Sequence, residues 1–535
     1  MTSQQSTADV VAAALEDAGV RSMFAYPGDP IIDLMEFSRR RGIDVVLARR
    51  EGTAAFMAEA SAMASGGIGA CLSTLGPGST ALVNGVAAAT LDRVPMIAIS
   101  GQIETSRQSF FTHQVVNHEA LFGPVTKWAG RVEANAAAIT MRKALRVATA
   151  ERPGAVHLTC AADTFKAIAT DNQVITPPMR PAAGSPQIFG NDEPRRVLAA
   201  ARRPLLLVGI GAVRCAATDA IIRLAETVGI PIVVTGMAKG IVPEDSEWFA
   251  GVLDMACNQS VWDFVRSSDL ILAAGFDPVE LIKPWDVETV VMHIGTIPNV
   301  DQVYASDVEV VGDVGTILDW LAGEYDGQPR WTAAEVAAYR ARLRQAYYAG
   351  RVPGRLNPTD VVDTVRDIAP ADTIATCDVG SHKLLVGQGW TATQPRSVLM
   401  TNGLSAMGFG LPAAIAAKMT HPDRPVIAMI GDGGMAMTAT ELRLAAARGL
   451  GIVVVVFVDG SLNRIELKQI VQRYPSTATR IEDTDLVKLA ESMDCHGARV
   501  SSDTELAAAL KSMDTLTRPL VIEARIDPAQ YESQF

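Results

Sequence analysis

Residues 426–434 read VIAMIGDGG, an apolar run that enters Gly-Asp-Gly-Gly and continues into a helix-patterned stretch. This pattern predicts a buried strand, a glycine turn and a helix. A second apolar run at residues 452–458 leads into Asp459-Gly460-Ser461 and predicts a neighbouring parallel strand. Oxygen donors at the carboxyl ends of adjacent strands, beside a glycine-lined helix N-terminus, suit a hard cation that carries a diphosphate.

The glycines of this turn have a direct physical use, because a backbone without Cβ atoms can approach phosphate oxygens closely. The amides of the first helical turn then offer N–H groups to the anion. The predicted diphosphate-binding residues are Gly431, Asp432, Gly433 and Gly434. Asp432 and Asp459 are predicted to hold Mg²⁺, with the carbonyl of Ser461 as a third ligand. A glycine-rich turn without a ligand is the alternative, and the paired strand end argues against it.

The N-terminal third carries a second candidate site. Residues 45–48 read VVLA and predict a short buried strand, which leads into Arg49-Arg50-Glu51-Gly52 and then an amphipathic helix of small residues. By itself, Glu51 is typical of a solvated acid at a helix N-terminus, where the helix dipole favours it. The diphosphate turn downstream favours a functional role for Glu51 instead.

The chain resembles the thiamine diphosphate (ThDP) enzymes, most specifically the acetolactate synthases, over nearly its whole length. The motifs that carry the resemblance stand in the family's order: Tyr26-Pro27-Gly28, Arg50-Glu51-Gly52, Gly76-Pro77-Gly78, Pro124-Val125-Thr126-Lys127 and Gly408-Phe409-Gly410-Leu411-Pro412. Thr112-His113-Gln114 and residues 275–280 are similar to the catabolic acetolactate synthases. The resemblance implies ThDP and Mg²⁺ as cofactors.

The resemblance also implies roles for individual residues. Glu51 would contact N1′ of the cofactor's aminopyrimidine and favour the imino tautomer, whose 4′-nitrogen removes the C2 proton of the thiazolium. The carbonyl of Ser405 would accept a hydrogen bond from the 4′-amino group, and Met407 would support the bent cofactor conformation. The other residues implied near the cofactor or the reacting carbon are Gly28, His113 and Gln114.

Several positions depart from the acetolactate synthase pattern. Asp29 follows Gly28, as in the Pro-Gly-Asp motif of 2-oxo acid decarboxylases, and a carboxyl there would relay the proton that releases an aldehyde. Leu75 and Ala81 replace polar residues and make one wall of the predicted pocket more apolar, unless they are plain packing residues. Asp459 stands where the family usually has asparagine, and its extra negative charge should tighten metal binding.

Apolar runs spaced by helical stretches predict an α/β fold of three doubly wound parallel-sheet domains. The predicted boundaries are residues 1–171 for the pyrimidine-binding domain, 187–325 for the central domain and 355–530 for the diphosphate-binding domain. Prolines and glycines at residues 176–186 predict a linker, and residues 333–348 predict a helical connector.

The central domain contains a glycine loop that is a weak match to a dinucleotide site. Val208-Gly209-Ile210-Gly211-Ala212 lacks the third glycine at the required spacing and an acid at the end of the next strand. Residues 294–298 carry no aspartate, whereas the flavin-binding relatives have one at such a strand end. FAD is therefore not expected to be a required cofactor.

Composition sets limits on partners and location. The 535 residues, 48% hydrophobic and 20% charged, suit large α/β cores in about three domains. A net charge of −12 without a basic block argues against nucleic acid or an anionic membrane as partner. Six cysteines without close pairs, a polar N-terminus and the lack of a long apolar run predict a reducing, cytoplasmic location.

The sequence thus predicts a ThDP- and Mg²⁺-dependent carboligase that decarboxylates a 2-oxo acid, most simply pyruvate, and couples the remaining acyl unit to a second carbonyl compound. One alternative is a decarboxylase that releases an aldehyde, which Asp29 favours. Another is a non-catalytic cofactor-binding protein, which would have to lack the acid or the metal ligands. The resemblance also implies a homodimer or homotetramer, because the two cofactor-binding domains of one chain face different partners in this superfamily.

Overall fold

The computed structural model describes residues 5–171 and 192–534, apart from residues 324, 326, 328 and 512. The linker predicted at residues 176–186 lies outside the described residues. Among the helices of the described residues, none is both long enough and apolar enough to cross a membrane. Three parallel six-stranded sheets with flanking helices form the fold, which confirms the predicted fold class.

The first sheet has the strand order β2-β1-β3-β4-β6-β5. Its strands are β1 (Ser22–Ala25), β2 (Asp44–Leu47), β3 (Gly69–Ser73), β4 (Met96–Gln102), β5 (Trp128–Arg131) and β6 (Ala155–Ala161). The helices of this part are α1 (Thr7–Asp17), α2 (Ile32–Arg40), α3 (Glu51–Ser65), α4 (Pro77–Leu91), α5 (His118–Phe122), α6 (Ala137–Thr149) and α7 (Ala162–Lys166). The strand predicted at residues 45–48 is β2, displaced by one residue.

The second sheet has the order β12-β11-β10-β7-β8-β9. Its strands are β7 (Pro204–Val208), β8 (Ile232–Val234), β9 (Phe249–Val252), β10 (Leu270–Ala274), β11 (Val290–Gly295) and β12 (Val308–Val311). The helices are α8 (Glu193–Ala200), α9 (Ile210–Arg214), α10 (Thr218–Val228), α11 (Asn258–Arg266), α12 (Val314–Ala322) and α13 (Ala333–Tyr347). Helix α13 is the connector predicted at residues 333–348.

The third sheet has the order β14-β13-β15-β16-β18-β17. Its strands are β13 (Ile374–Cys377), β14 (Val398–Met400), β15 (Val426–Gly431), β16 (Val453–Val458), β17 (His496–Val500) and β18 (Leu520–Arg525). The helices are α14 (Pro358–Ile368), α15 (Ser381–Gly389), α16 (Gly410–Thr420), α17 (Asp432–Thr438), α18 (Leu442–Ala447), α19 (Asn463–Val471), α20 (Leu486–Ser492) and α21 (Asp503–Leu510). Short 3-10 helices lie at Asp29–Ile31, Thr105–Arg107, Gly123–Val125, Gly236–Ala238, Pro278–Glu280, Ala439–Glu441, Met513–Thr515 and Pro528–Ser533.

The strand orders locate the ligand-binding edges. The first and third sheets share one topology, in which the order reverses between the first and third strands of the sheet. The second sheet reverses between β7 and β10, as in dinucleotide-binding folds. In open parallel sheets, ligands bind at the carboxyl ends of the strands beside such a reversal. Each sheet therefore has one switch point at which loops from non-consecutive strands meet.

Helix α3 differs from the amphipathic helix that was predicted. Every residue from 53 to 60 is buried, so this part of the helix has no solvent-facing side. Helices α4 and α16 both pack against α3, and its alanines allow close approach from several directions. The prediction of amphipathicity was wrong because the second packing partner, α16, comes from the far end of the chain.

The chain divides into two compact units. The first consists of Met1–Pro181, Gly403–Pro422 and Thr438–Leu450, and the second of Ala182–Asn402, Asp423–Met437 and Gly451–Phe535. The first unit therefore contains the first sheet together with α16 and α18. The second unit contains the second and third sheets.

Candidate active site

In the first unit, the loops that follow β1, β2 and β3 meet at the switch point. A Cβ atom added at Gly28 would lie 2.3 Å from Oγ1 of Thr74, and one added at Gly78 would lie 3.2 Å from Oε1 of Glu51. These approaches explain the glycines, since a side chain would push the loops apart. The structure thus brings the predicted residues Gly28 and Glu51 to the same edge of the sheet.

Glu51 is the first residue of α3, and a buried acid holds this end of the helix. Oε1 of Glu441 accepts hydrogen bonds from the backbone N of Arg49 at 2.9 Å and from Oγ1 of Thr53 at 2.5 Å. Burial raises the pKa of the Glu441 carboxyl, and the bond from Thr53 opposes that rise. Glu441 therefore binds the backbone before Glu51 and a side chain after it. Glu441 was not predicted from the sequence, because no local pattern links positions so distant in the chain.

The loop after β4 adds Gln114 to this group through its backbone. Gln114 has a φ of +60°, and a Cβ atom added at Gly76 would lie 2.5 Å from the Gln114 carbonyl oxygen. The side chains of Gln114 and His113 are exposed, and the His113 ring lies 6.4 Å from that of Phe111. We call Gly28, Glu51, Gly78 and Gln114 the first-sheet group.

Three further predicted positions, Asp29, Leu75 and Ala81, lie near this group in the chain. Asp29 is exposed and begins the 3-10 helix Asp29–Ile31. Leu75 is buried, whereas Ala81 is exposed on α4. Leu75 therefore fits a packing role, and the apolar wall that these two residues were predicted to form stays a prediction.

The buried His118 stabilises the turn at Gly76–Gly78 through Ser79. Oγ of Ser79 donates to the carbonyl of Gly76 at 2.9 Å and lies 3.0 Å from Nε2 of His118. Burial lowers the pKa of His118 to about 4, so the ring is neutral near pH 7. Nδ1 of His118 lies 3.3 Å from Oγ1 of Thr159. The turn beside Glu51 is thus held by hydrogen bonds through Ser79, the neutral His118 and Thr159, which the sequence did not predict.

The segment before α16, residues 403–409, also belongs to the first unit. Ser405 has a φ of +52°, and Met407 is half-buried. Phe409 is fully buried and meets Phe56 of α3 edge-on, with ring centroids 5.9 Å apart. The segment that carries Ser405 and Met407 is therefore anchored by an aromatic contact to the helix that begins at Glu51.

In the second unit, Asp432 and Asp459 lie at the ends of neighbouring strands, β15 and β16. Oδ2 of Asp432 accepts from the backbone N of Gly460 at 2.8 Å, and Oδ1 accepts from that of Gly433 at 2.8 Å. The backbone N of Ser461 donates to Oδ1 of Asp459 at 3.1 Å. The structure therefore brings all three predicted magnesium ligands, together with the Gly431–Gly434 turn, to one edge of the third sheet.

The electrostatics of this pair suit a cation. Burial and the charge of Asp432 raise the pKa of Asp459 to about 7, and burial raises the pKa of Asp432. A divalent cation would relieve this repulsion. No cluster of three His, Cys, Asp or Glu side chains with metal-binding geometry occurs among the described residues. A cavity of about 480 Å³ lies beside both acids.

Two buried residues after β13 complete what we call the third-sheet group, with Asp432, Asp459 and Ser461. Asp378 is fully buried, and a Cβ atom added at Gly434 would lie 2.9 Å from its Oδ2. His382 is also buried and lies under Gly431, where an added Cβ would be 3.2 Å from Cε1 of its ring. Burial lowers the pKa of His382 to about 3. Within the described residues the Nε2 atom of His382 has no hydrogen-bond partner.

Asp378 and His382 were not predicted as site residues, although the sequence around them carries a signal. An apolar strand that ends at Cys377 leads into Asp378-Val379-Gly380-Ser381-His382, a second strand-glycine-helix pattern. Only the strand order shows that this loop adjoins the Gly431–Gly434 turn. The residues present fit a magnesium-bound diphosphate, because they combine two paired carboxylates with a closely packed glycine turn at the start of a helix.

The switch point of the second sheet is filled by a side chain of the chain itself. The carboxylate of Glu280 accepts from the backbone N of Ile210 at 3.0 Å and from that of Asp277 at 2.9 Å, and it also bonds Oγ1 of Thr235. A Cβ atom added at Gly209 would lie 2.3 Å from Oε2 of Glu280. This glycine loop therefore does not fit the diphosphate of a dinucleotide, because a buried carboxyl occupies its amide.

Comparison with known proteins agrees with the geometry. The family model for the thiamine pyrophosphate enzyme N-terminal TPP binding domain matches residues 5–121, that for the central domain matches residues 193–321, and that for the C-terminal TPP binding domain matches residues 378–524. The chain is similar to the acetolactate synthase of Bacillus subtilis, with 28% identity over 97% of this chain and 93% of the relative.

Two further relatives show the same extent of similarity. The probable acetolactate synthase large subunit of Methanocaldococcus jannaschii is 30% identical over 98% of this chain and 92% of its own length. The catabolic acetolactate synthase of Raoultella terrigena is 29% identical over 97% and 95%. The chain belongs to the thiamine pyrophosphate enzymes, in the acetolactate synthase family, and its cofactors are ThDP and Mg²⁺.

Proposed function

We propose that the protein is a ThDP- and Mg²⁺-dependent carboligase that decarboxylates a 2-oxo acid and couples the acyl unit to a second carbonyl compound, with pyruvate as the simplest donor. One observation carries the proposal. The chain aligns with acetolactate synthases over 97–98% of its length, and it keeps the residues of both the first-sheet group and the third-sheet group. A non-catalytic role is disfavoured for the same reason, since neither Glu51 nor the two aspartates have been lost.

When bound, ThDP supplies a stabilised carbon nucleophile and an acceptor for the electrons released with CO₂. The chain's own residues would orient it and move a proton. The carboxyl of Glu51 would share a proton with the aminopyrimidine, and the carbonyl of Ser405 would accept from its amino group. The half-buried Met407 would support the bent conformation. Gln114 and His113, both on the exposed loop after β4, would hydrogen-bond the substrate's oxygens.

The third-sheet group would hold the charged end of the cofactor. Asp432, Asp459 and the Ser461 carbonyl would ligate Mg²⁺, and the Gly431–Gly434 turn would admit the diphosphate oxygens to the start of α17. The buried pair of Asp432 and Asp459 supports this assignment, because burial and the repulsion between the two acids raise the pKa of Asp459 to about 7, and a divalent cation would relieve that repulsion.

FAD is not required in this proposal. The support is Glu280, which takes the Ile210 amide at the switch point where dinucleotide-binding sheets hold a phosphate. The working unit is proposed to be a homodimer or homotetramer, with no nucleic acid or membrane partner and a cytoplasmic location. These assignments rest on the resemblance and on the charge balance of −12.

Asp29 supports one alternative, release of an aldehyde in place of coupling. Its carboxyl is exposed at the edge that carries Gly28 and Thr74, within the same loop as Gly28. A carboxyl at this edge can deliver a proton, which ends the reaction before a second carbonyl compound adds. The product, rather than the rate of CO₂ loss, distinguishes the two functions.

One experiment tests the proposal. The purified protein is incubated with ThDP, Mg²⁺ and each member of a 2-oxo acid series, and both CO₂ and coupled product are measured. Acetolactate from pyruvate, in an amount that accounts for the CO₂ released, is the expected result. Aldehyde without coupled product would establish the decarboxylase alternative, which Asp29→Ala should then slow. No CO₂ from any member would contradict both functions.

A further inference from the structure

A buried acid, Glu466, lies beside the loop that carries two of the three proposed magnesium ligands. We call residues 459–462, which include Asp459 and Ser461, the metal loop. Glu466 lies in the first turn of α19 and is 5% exposed. Its Oε2 accepts a hydrogen bond from Oγ of Ser461. The helix dipole favours an acid in a first turn, but it does not explain why this acid is buried against the metal loop.

The other carboxyl oxygen of Glu466 binds a segment that returns to the metal loop after α19. Oε1 accepts from Oγ of Ser476 at 2.6 Å and from Nη2 of Arg480 at 2.7 Å. We call residues 476–481 the strap. Of the strap residues, all of which the structure describes, Thr479 alone is buried. Apolar burial therefore does little to hold the strap in place, and its polar contacts with Glu466 carry more weight.

The strap and the metal loop also pair through their backbones. The N of Leu462 donates to the carbonyl of Thr479 at 2.7 Å. The N of Ile481 donates to the carbonyl of Gly460 at 3.0 Å, and the two segments run antiparallel at this point. The N of Gly460 in turn donates to Oδ2 of Asp432. The metal loop is thus bound both by a proposed magnesium ligand and by the strap.

Gly460 explains why the metal loop needs such support. Its φ is +68°, and glycine adopts this conformation as readily as many others. Mg²⁺ demands a near-octahedral arrangement of its ligands, so the carbonyl of Ser461 has to hold one orientation. The hydrogen bond between Ser461 and Glu466 restricts the loop directly after the glycine.

We propose that Glu466 is a positioning residue for the magnesium site, which holds the backbone of Ser461 in its ligating orientation by tying the metal loop to the strap. The inference rests on the ligand roles assigned under the proposed function. Glu466 acts through Ser461 and is not itself a ligand. A loop that is already ordered raises metal affinity, because binding then does not have to order it.

The test measures the Mg²⁺ concentration that half-saturates the protein at fixed ThDP, by calorimetry and without substrate. Glu466→Leu removes the acceptor of all three side-chain bonds and should raise that concentration by about tenfold or more, with full binding restored at higher Mg²⁺. Glu466→Gln keeps one acceptor oxygen and should raise it less. The control is Tyr304→Phe, which removes the hydrogen bond between the Tyr304 hydroxyl and Nδ1 of His293 in the second unit. It should lower the Tm without changing the Mg²⁺ requirement.

Ser461→Ala provides a second route, because it removes the hydroxyl and keeps the backbone carbonyl. Its own Mg²⁺ requirement should rise, and in the double variant with Glu466→Leu the combined rise should stay well below the product of the two single effects. Single effects that multiply would overturn the inference. So would a Glu466→Leu protein that loses Tm but keeps the wild-type Mg²⁺ requirement.

Arg480→Gln covers the case in which Glu466→Leu does not fold, since the Arg480 side chain is 71% exposed. It removes the ion pair from the strap side, and both it and Ser461→Ala should then raise the Mg²⁺ requirement. Wild-type values in both would overturn the inference. A wild type that binds ThDP with Mg²⁺ but converts no 2-oxo acid would contradict the proposed function and leave these comparisons readable.

Discussion

The second and third sheets both place a glycine turn at a switch point, but the turns differ in what fills the space beside them. In the second sheet the carboxyl of Glu280 closes over the Ile210 amide and packs against Gly209. In the third sheet a cavity of about 480 Å³ lies beside Asp432 and Asp459. A glycine turn after a parallel strand is therefore not sufficient for a phosphate site. In the second sheet a side chain from the loop after the neighbouring strand already occupies the first amide of the following helix.

The first sheet extends the comparison, because it repeats the strand order of the third with different chemistry. Its switch point carries the acids Glu51 and Asp29 in the loops after β2 and β1, where the third sheet carries Asp432 and Asp459. In our proposal the same topology serves a proton-sharing carboxyl, Glu51, in the first sheet and a cation site in the third. The fold provides the edge, and the loop residues determine the chemistry.

The largest effect is expected from Glu51→Gln. An amide cannot share a proton with the cofactor, so turnover of the 2-oxo acid should fall by about 10²- to 10⁴-fold while ThDP affinity changes only a few-fold. Steady-state kinetics and a ThDP titration measure the two quantities separately. Glu226→Gln, an exposed change on α10, serves as the control. A Glu51→Gln enzyme with half the wild-type turnover would remove the distinction drawn between the first and third sheets.

Asp432→Ala should come next, through cofactor binding. The variant loses a proposed metal ligand and the acceptor for the backbone N–H groups of Gly433 and Gly460. We expect Mg²⁺-dependent ThDP binding to weaken by about 100-fold or more, and chelation of Mg²⁺ from the wild type to have a similar effect. Tight ThDP binding by Asp432→Ala would show that the Gly431–Gly434 turn of the third sheet is not the diphosphate site.

Glu280→Ala tests the closed switch point of the second sheet. Removal of the carboxyl leaves the buried amides of Ile210 and Asp277 without their acceptor, which should destabilise the protein by about 2–4 kcal/mol. The Tm should fall, whereas Glu280→Gln, which keeps one acceptor oxygen, should lose less. The wild type should show no flavin absorbance after incubation with FAD and desalting. Retained flavin would show that the second sheet binds a dinucleotide despite Glu280.

The buried histidine below the first-sheet group predicts a pH dependence. Because the folded-state pKa of His118 is lowered to about 4, the unfolded chain takes up a proton near pH 6.5 and the folded chain does not. Stability from His118 is present above pH 6.5 and lost as the pH falls toward 4, by about 1.4 kcal/mol per pH unit. His157, whose pKa burial also lowers, adds to the slope, and Glu119 and Arg131 are the charged neighbours of His118.

His118→Asn should therefore be less stable than the wild type at pH 7, with a gap in Tm that narrows at pH 5. Thermal unfolding at both pH values measures that gap. The control is Thr7→Val, which removes the hydrogen bond from Thr7 Oγ1 to the Ala167 carbonyl and changes no titrating group, so its gap in Tm should be the same at both pH values. An unchanged gap for His118→Asn would mean that the histidine is not held neutral.

The smallest effect is expected from Asp459→Asn. The family's usual ligand at this position is asparagine, so the amide oxygen should still ligate Mg²⁺ while one negative charge is lost. Magnesium affinity should fall by less than about tenfold, with turnover restored at higher Mg²⁺. A titration with Mg²⁺ at saturating ThDP measures the change. A loss as large as that of Asp432→Ala would show that Asp432 and Asp459 contribute equally to Mg²⁺ binding.

Local patterns were sufficient to predict the elements that carry the candidate site. The strand at Val426–Gly431, its glycine turn and α17 follow from hydrophobic periodicity and from the lack of a Cβ at glycine, which are properties of neighbouring residues. The same holds for Glu51 at the start of α3. The roles of His113, Gln114 and Asp29 came from resemblance alone and stay predictions, as do the domain boundaries.

Tertiary structure decided which loops meet. Asp378 lies below Gly434, Glu441 holds the start of α3, and Asp92 binds Gly403, in each case across long stretches of chain. Helix α16 packs against α3 and completes its burial, so the local sequence pattern of α3 wrongly predicted an amphipathic helix. The sequence by itself determined strand, turn, helix and the acids on them, because those depend on adjacent residues. The strand order and the buried partners depend on packing between distant segments, which no local pattern records.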